Sequence, residues 1–226
     1  VVVVVVVGGG DGGVDGGGGV DSSRDDNPTC KYKTISDLSH QERYPVASEM
    51  HDENHRRHMV DPPKDGVLTL VCCETTAGRI SIAVHHNWAP LGAQRFLEMV
   101  RNNYFTSKVA LMRCMHKFIC QFGIAGDPLL NKAYRQFPDD PNWIPKGPDH
   151  FTNAAGAQRY ARGYFAYAGS GTGSRSNQFI VALADNKRLG GGSPWEIPWG
   201  EAVGVESYNT LGKIYTGYGD NGPSQG

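Results

Sequence analysis

Short runs of alternating apolar residues, each closed by a turn signal, succeed one another along residues 66–226. Residues 67–74 and 79–85 read as two strands joined by Thr75-Thr-Ala-Gly, a hairpin connection. In the second run Ile80, Ile82 and Val84 alternate with Arg79, Ser81 and Ala83, so one face belongs to a core. Further strand-like runs lie at 111–128, 163–168, 178–183 and 200–203, the last entered through residues 195–199. Two stretches carry helical spacing instead. Residues 87–100 line up Ala93, Phe96, Leu97 and Val100, with Asn87 or a near neighbour as cap and Pro90 in the first turn, where its missing N–H costs nothing. Asn102-Asn103 ends that helix, and its stripe is expected to plug the open end of a sheet. Residues 205–215 place Tyr208, Leu211 and Tyr215 on one side of the second. Short strands, frequent turns and two helices describe a mainly β chain closed into an antiparallel barrel.

The first 65 residues have another texture. Residues 1–20 contain only Val, Gly and Asp, and their run of seven valines is far too short to span a bilayer. No cleavage pattern follows it. Residues 21–65 are polar and repeat no apolar spacing, so they read as an arm without its own core. A short helix at 49–59 would place His51, His55 and His58 on one face. In His51-Asp-Glu-Asn-His55 the Glu stands one place off the metalloprotease pattern, and a solvated face is the better reading.

The formal net charge of −1 gives no general attraction to nucleic acid or to an anionic membrane. Five cysteines, an odd number without a C-x-x-C pair, argue against a disulfide framework. Cys114 and Cys120 read as buried free thiols, and a reducing compartment is favoured. Gly169-Ser-Gly-Thr-Gly-Ser lacks the Lys that a phosphate loop needs and runs into a strand, so it reads as a tight bend. The Gly-x-Ser-x-Gly of a hydrolase elbow is absent. His85-His86 and His116 read as surface residues.

What remains is the stretch 111–128, one arginine among apolar residues, closed by a Gly/Asp/Pro loop. From Phe118 its alternation sets Phe118, Cys120 and Phe122 on one face and Ile119 and Gln121 on the other. Arg113, Phe118, Ile119 and Gln121, with Gln178 and Ile180 from another strand, form either a binding groove or the surroundings of an arginine paired structurally with a carboxylate.

Three phrases separate those readings. Met112-Arg-Cys-Met-His-Lys-Phe-Ile-Cys-Gln-Phe-Gly-Ile-Ala-Gly-Asp is similar to Phe-x-Arg-Val-x-x-x-Phe-Met-x-Gln-Gly-Gly-Asp. Ala89-Pro-Leu-Gly-Ala-Gln-Arg-Phe resembles a first helix. Gly163-Tyr-Phe-Ala-Tyr-Ala-Gly-Ser-Gly, followed by Ser176-Asn-Gln-Phe-Ile-Val, resembles Gly-x-Leu-Ser-Met-Ala-Asn-x-Gly followed by Ser-Gln-Phe-Phe-Ile. Together, and in this order, they resemble the cyclophilin family of peptidyl-prolyl cis-trans isomerases. Pro194-Trp-Glu-Ile-Pro-Trp-Gly and Gly217-Tyr-Gly-Asp resemble a divergent branch seen in algae and other protists.

That resemblance implies an eight-stranded antiparallel closed β-barrel capped by two α-helices over residues 66–226, with residues 1–65 as an extended N-terminal arm. It implies catalytic roles for Arg113, Phe118 and Gln121. Ile119, Ala168, Gly169, Gln178, Ile180 and Leu189 would bind a proline-containing peptide or protein client, with no cofactor and no metal. Gly169 stands where the family has Asn, Ile119 and Ile180 where it has Met and Phe, and Arg188 where a Trp is frequent. The groove His has no counterpart near residues 195–197. The expected function is isomerisation of X-Pro bonds in protein folding or assembly, reduced in rate. The alternative is a non-catalytic subunit of a large assembly, docking through residues 21–65 and 129–162, within a reducing compartment or organelle of a eukaryote.

Overall fold

The computed structural model describes residues 4–8, 68–143, 160–186, 189 and 193–221. The expected helix at 49–59 with its three histidines, the 21–65 arm and Arg188 lie outside the described residues. Among the described residues eight strands are formed: β1 (Val4–Gly8), β2 (Leu68–Thr75), β3 (Gly78–His85), β4 (Leu111–Cys114), β5 (Ile119–Phe122), β6 (Tyr164–Tyr167), β7 (Phe179–Ala182) and β8 (Gly200–Val203). Three helices accompany them: α1 (Pro90–Arg101), α2 (Pro128–Ala133) and α3 (Val205–Lys213).

All pairings are antiparallel, in the order β1-β2-β3-β8-β6-β7-β5-β4. Strands β2 to β8 curl into a half-barrel, and the valine-rich β1 lies along the free edge of β2. This corrects the closed barrel. Closure needs the two end strands to offer each other continuous edges in register. Here β4 is four residues long, its register shifts between Leu111 and Arg113, and the turn Gly219–Asn221 packs against it. Strands β1 and β4 therefore end the sheet without pairing.

The expectation of two helices is also corrected. Helix α2 begins at Pro128, where no helix was expected: the Asp127 side chain accepts from the Leu129 N–H and Pro128 sets the first turn. Six residues carry too little periodicity to be recognised beforehand. Helix α1 buries Ala93, Phe96, Leu97 and Val100 as its stripe demands, but its cap comes from far along the chain. Asp140 Oδ1 accepts from Leu91 N–H at 2.8 Å and Oδ2 from Gly92 N–H at 2.9 Å. Arg175, fully buried, donates to the same carboxylate at 2.8 Å, pairs with Asp139 and lies over the rings of Phe137 and Tyr167. Tyr167 Oη donates to Gly92 O at 2.8 Å, so α1 is pinned to the end of β6.

Alternation along the strands sends one set of side chains into the hollow of the half-barrel. Cys120, Phe122, Phe165, Tyr167, Phe179 and Val181 meet Phe96 and Trp199 there. Phe96 stacks on Trp199 with centroids 4.2 Å apart and meets Phe179 edge-on at 5.6 Å. Burying aromatics of this size contributes about 1.5–3 kcal/mol each, enough to hold short strands together. A small cavity of about 30 Å³ remains among Cys73, Ile80, Phe105 and Ile214.

Three smaller readings change. Leu111–Phe122 is a hairpin of two strands and not one run, because Met115–Phe118 forms its turn with Lys117 at φ 53°. Cys114 and Cys120 face each other across that hairpin and form a disulfide, so they are not the buried free thiols expected. His85 is buried, stacks on Trp88 at 3.6 Å and pairs with Glu201 at 3.0 Å; β8 lies beside β3 and encloses it. His86 is half-buried against Thr69, whereas His116 is exposed.

Candidate functional site

The sheet register brings four strands to one level. Arg113 of β4 faces Gln121 of β5, Gln121 faces Ile180 of β7, and Ile180 faces Ala166 of β6. These side chains share the face opposite the inner core, because successive residues of a strand alternate. One step along, Ile119 faces Ala182. On the other side of the row Ala168 N–H donates to Gln178 O at 3.0 Å, which continues β6 and β7 beyond their regular pairing.

The apolar members of this face form a second cluster with Trp88, Tyr160, Tyr164 and Leu189, against which Phe118 and Ala168 pack half-exposed. Ile119, Ile180 and Leu189 are 5%, 3% and 6% exposed, so they form a floor and Phe118 stands at the rim. Phe118 thus joins Ile119 and does not follow Cys120 inward, correcting the alternation read from sequence. It precedes the strand, held by its N–H to Met115 O at 3.1 Å and by Leu183 N–H to its own carbonyl at 2.9 Å.

Polar groups run along one side of that floor. Arg113 Nη1 donates to Gln121 Oε1 at 3.4 Å, and Gln121 Nε2 donates to Gln178 Oε1 at 2.7 Å. Arg113 Nε donates to Asp220 Oδ1 from the C-terminal turn. The carboxylate pairing, one of the two alternatives in the sequence, is therefore present at a guanidinium that also borders the apolar floor. Asp220 lies 107 residues from Arg113 and had no local signal, since Gly219-Asp220-Asn221 reads only as a turn.

The ends of β5 and β7 are held by a buried polar knot. Tyr104 Oη lies 2.6 Å from Gly123 O and 2.7 Å from Asn131 Oδ1, and accepts from Asn177 Nδ2 at 2.7 Å. Burial pushes the Tyr104 phenol above its ordinary range, partly offset by the Asn177 bond. Gly123 has φ 121°, and a Cβ there would lie 2.1 Å from Asn177 O, so glycine is required where the chain leaves β5. This knot sets the level at which Gln121 and Gln178 meet.

Gly169, exposed at the end of β6, also has a steric reason. A Cβ would lie 2.6 Å from Trp195 Cγ and 2.7 Å from Ser174 Oγ. The indole of Trp195 leaves no space for the Asn side chain of the resembled pattern. Trp195, Trp88, Tyr160 and Asp220 are neighbours of these residues that sequence reasoning missed: Trp88 and Tyr160 lie outside the recognised phrases, and Trp195 and Asp220 lie within phrases that carried no site role.

The chemistry on offer is a cation and two primary amides beside an apolar floor. Among the described residues no group of three or more His, Cys, Asp or Glu is placed to hold a metal ion. No described helix is long and apolar enough to cross a membrane.

Residues 70–225 match the sequence model of a family described as cyclophilin type peptidyl-prolyl cis-trans isomerase/CLD. Among solved structures the chain is similar to a cyclophilin type peptidyl-prolyl cis-trans isomerase from Cryptosporidium parvum. That match has 18% identity and a TM-score of 0.47, over 64% of this chain and 84% of the other. No curated protein matches.

Proposed function

The chain belongs to the cyclophilin-type peptidyl-prolyl cis-trans isomerase family, and from that premise we propose that it rotates X-Pro bonds of a protein client at the Arg113 groove. Such rotation is slow because amide resonance raises a barrier of about 18–20 kcal/mol. A donor that reaches the prolyl nitrogen only as it pyramidalises stabilises the twisted state over both planar states. Arg113 is that donor. Phe118, Ile119, Ile180 and Leu189 hold the pyrrolidine ring, Gln121 and Gln178 orient the guanidinium and the peptide, and the backbone at Ala168 and Gly169 fixes the flanking residues.

The observation that carries this reading is the row Arg113, Gln121, Ile180 and Ala166 across four adjacent strands, with Phe118 at its rim. It supports a cation, an amide and a ring-sized apolar surface within one peptide's reach. Isoleucine at 119 and 180 gives a shallower wall than the family's Met and Phe, so turnover is slower than usual for the fold, though retained. Isomerisation of a proline peptide tests this. Wild type must exceed Arg113→Ala by about tenfold or more, and equal rates would sink the enzyme.

A second reading has its own observation in favour. Arg113 is already bound by Asp220, and three floor residues are almost wholly buried, as in a scaffold that keeps the fold without turnover. Such a subunit would dock on a larger assembly through residues 21–65 and 129–162. Equal rates for wild type and Arg113→Ala, together with co-purification in a stable complex, would establish it instead.

A further inference from the structure

Among the described residues, the turn that carries Asp220 has few apolar anchors. It follows α3 through residues 214–218 and packs against β4. Gly219, at φ 55°, closes it by donating to Thr216 O at 3.1 Å. Tyr215 and Tyr218 lean edge-to-face at 5.0 Å, yet are 68% and 63% exposed, so the turn buries little apolar surface of its own. Segments with few buried contacts open at low cost.

We propose that residues 217–221 are an autoinhibitory latch on Arg113, and this rests on the isomerase reading above. Closed, the Asp220 carboxylate takes the Nε donor while Gln121 takes Nη1, so two directions of the guanidinium fork are occupied. The negative charge also lowers the positive potential that a pyramidal prolyl nitrogen would meet. Open, the guanidinium faces the groove with Gln121 alone. A client or partner that draws Asp220 away, most directly with a basic side chain beside its proline, releases the site. The pair is partly solvated, at 28% and 62% exposure for its two side chains, so the latch is a shallow one. Surface pairs of this kind shift a two-state population by about two- to fivefold.

An orienting role for Asp220 predicts the opposite sign, which makes the test decisive. The full-length protein, Asp220→Asn and Arg113→Ala are compared by proline-peptide isomerisation and by calorimetric binding of the same peptide. Asp220→Asn is expected to raise kcat/KM and to tighten binding, each about two- to fivefold. Added salt should lift wild type towards Asp220→Asn and leave the variant in place. Unchanged or weaker binding and unchanged or slower turnover in Asp220→Asn overturn the latch. If all three proteins turn over equally, the isomerase reading fails by itself, and binding still decides: tighter binding by Asp220→Asn upholds the latch, and equal or absent binding refutes it.

Discussion

Gln178 fixes which end of the Gln121 amide faces Arg113: its Oε1 accepts from Gln121 Nε2 at 2.7 Å, leaving Gln121 Oε1 turned to the guanidinium at 3.4 Å. Losing the acceptor itself costs more than losing the group that orients it. A hydrogen bond of this kind is worth about 0.5–1.5 kcal/mol net, or about two- to twelvefold in rate. Gln121→Leu is therefore expected to lower kcat/KM for a proline peptide by about tenfold, and Gln178→Leu by about threefold. A larger loss at Gln178 than at Gln121 would mean that Gln178 meets the peptide directly.

Trp195 and Ser174 compete with any side chain at position 169. Restoring the family's residue with Gly169→Asn is expected to destabilise the fold by about 1–3 kcal/mol, the usual cost of overpacking. Trp195→Ala in the same chain should recover part of that loss and leave the share due to Ser174 Oγ, which also accepts from Ser170 N–H at 2.8 Å. Denaturant midpoints of the single and double variants measure the coupling. Additive losses would show that the indole does not cover the glycine.

Asp140 carries two backbone N–H groups of α1 and one end of a fully buried guanidinium. Asp140→Ala orphans all three, although Arg175 keeps Asp139 and the Pro138 carbonyl. The expected loss is about 3–5 kcal/mol, the range for breaking a buried ion pair from one side. Asp140→Asn keeps an acceptor for the helix and should lose less. Urea unfolding followed by circular dichroism reads both, and equal losses in the two variants would mean that charge alone matters.

The strands were readable because alternation survives in Ile80, Ile82 and Val84 and in Ile119 and Gln121, and α1 because four apolar residues repeat at its period. Long-range choices were not readable. Whether the sheet closes depends on what meets the outer edge of β4, and a turn about a hundred residues later meets it. The pairing of Cys114 with Cys120 depends on hairpin register, which the bulge between Leu111 and Arg113 helps to set. Asp140 as the cap of α1, 48 residues from Gly92, obeys no local rule. Arg113, Phe118, Ile119, Gln121, Ala168, Gly169, Gln178 and Ile180 lie in recognised phrases, whereas what Trp195 and Asp220 touch follows only from packing.

Cys73 is a free thiol in the inner core, and burial, helped by the Glu74 charge, pushes it up from 9.0 to about 12. The folded chain thus keeps that proton until about pH 12, while the unfolded chain gives it up near 9. Below 9 both states hold the proton and stability is unaffected. Between the two values ionisation favours the unfolded chain, so stability falls as pH rises through that window. Cys73→Val removes the group, and the adjoining cavity of about 30 Å³ accepts the extra methyl. Urea unfolding at pH 7, 9 and 10.5 should show wild type losing stability relative to Cys73→Val only above 9. In the folded state the thiol should also resist alkylation at pH 8 and react only on unfolding. A parallel pH dependence in the two proteins, or rapid labelling of folded Cys73, would place that side chain at the surface of the half-barrel and not within it.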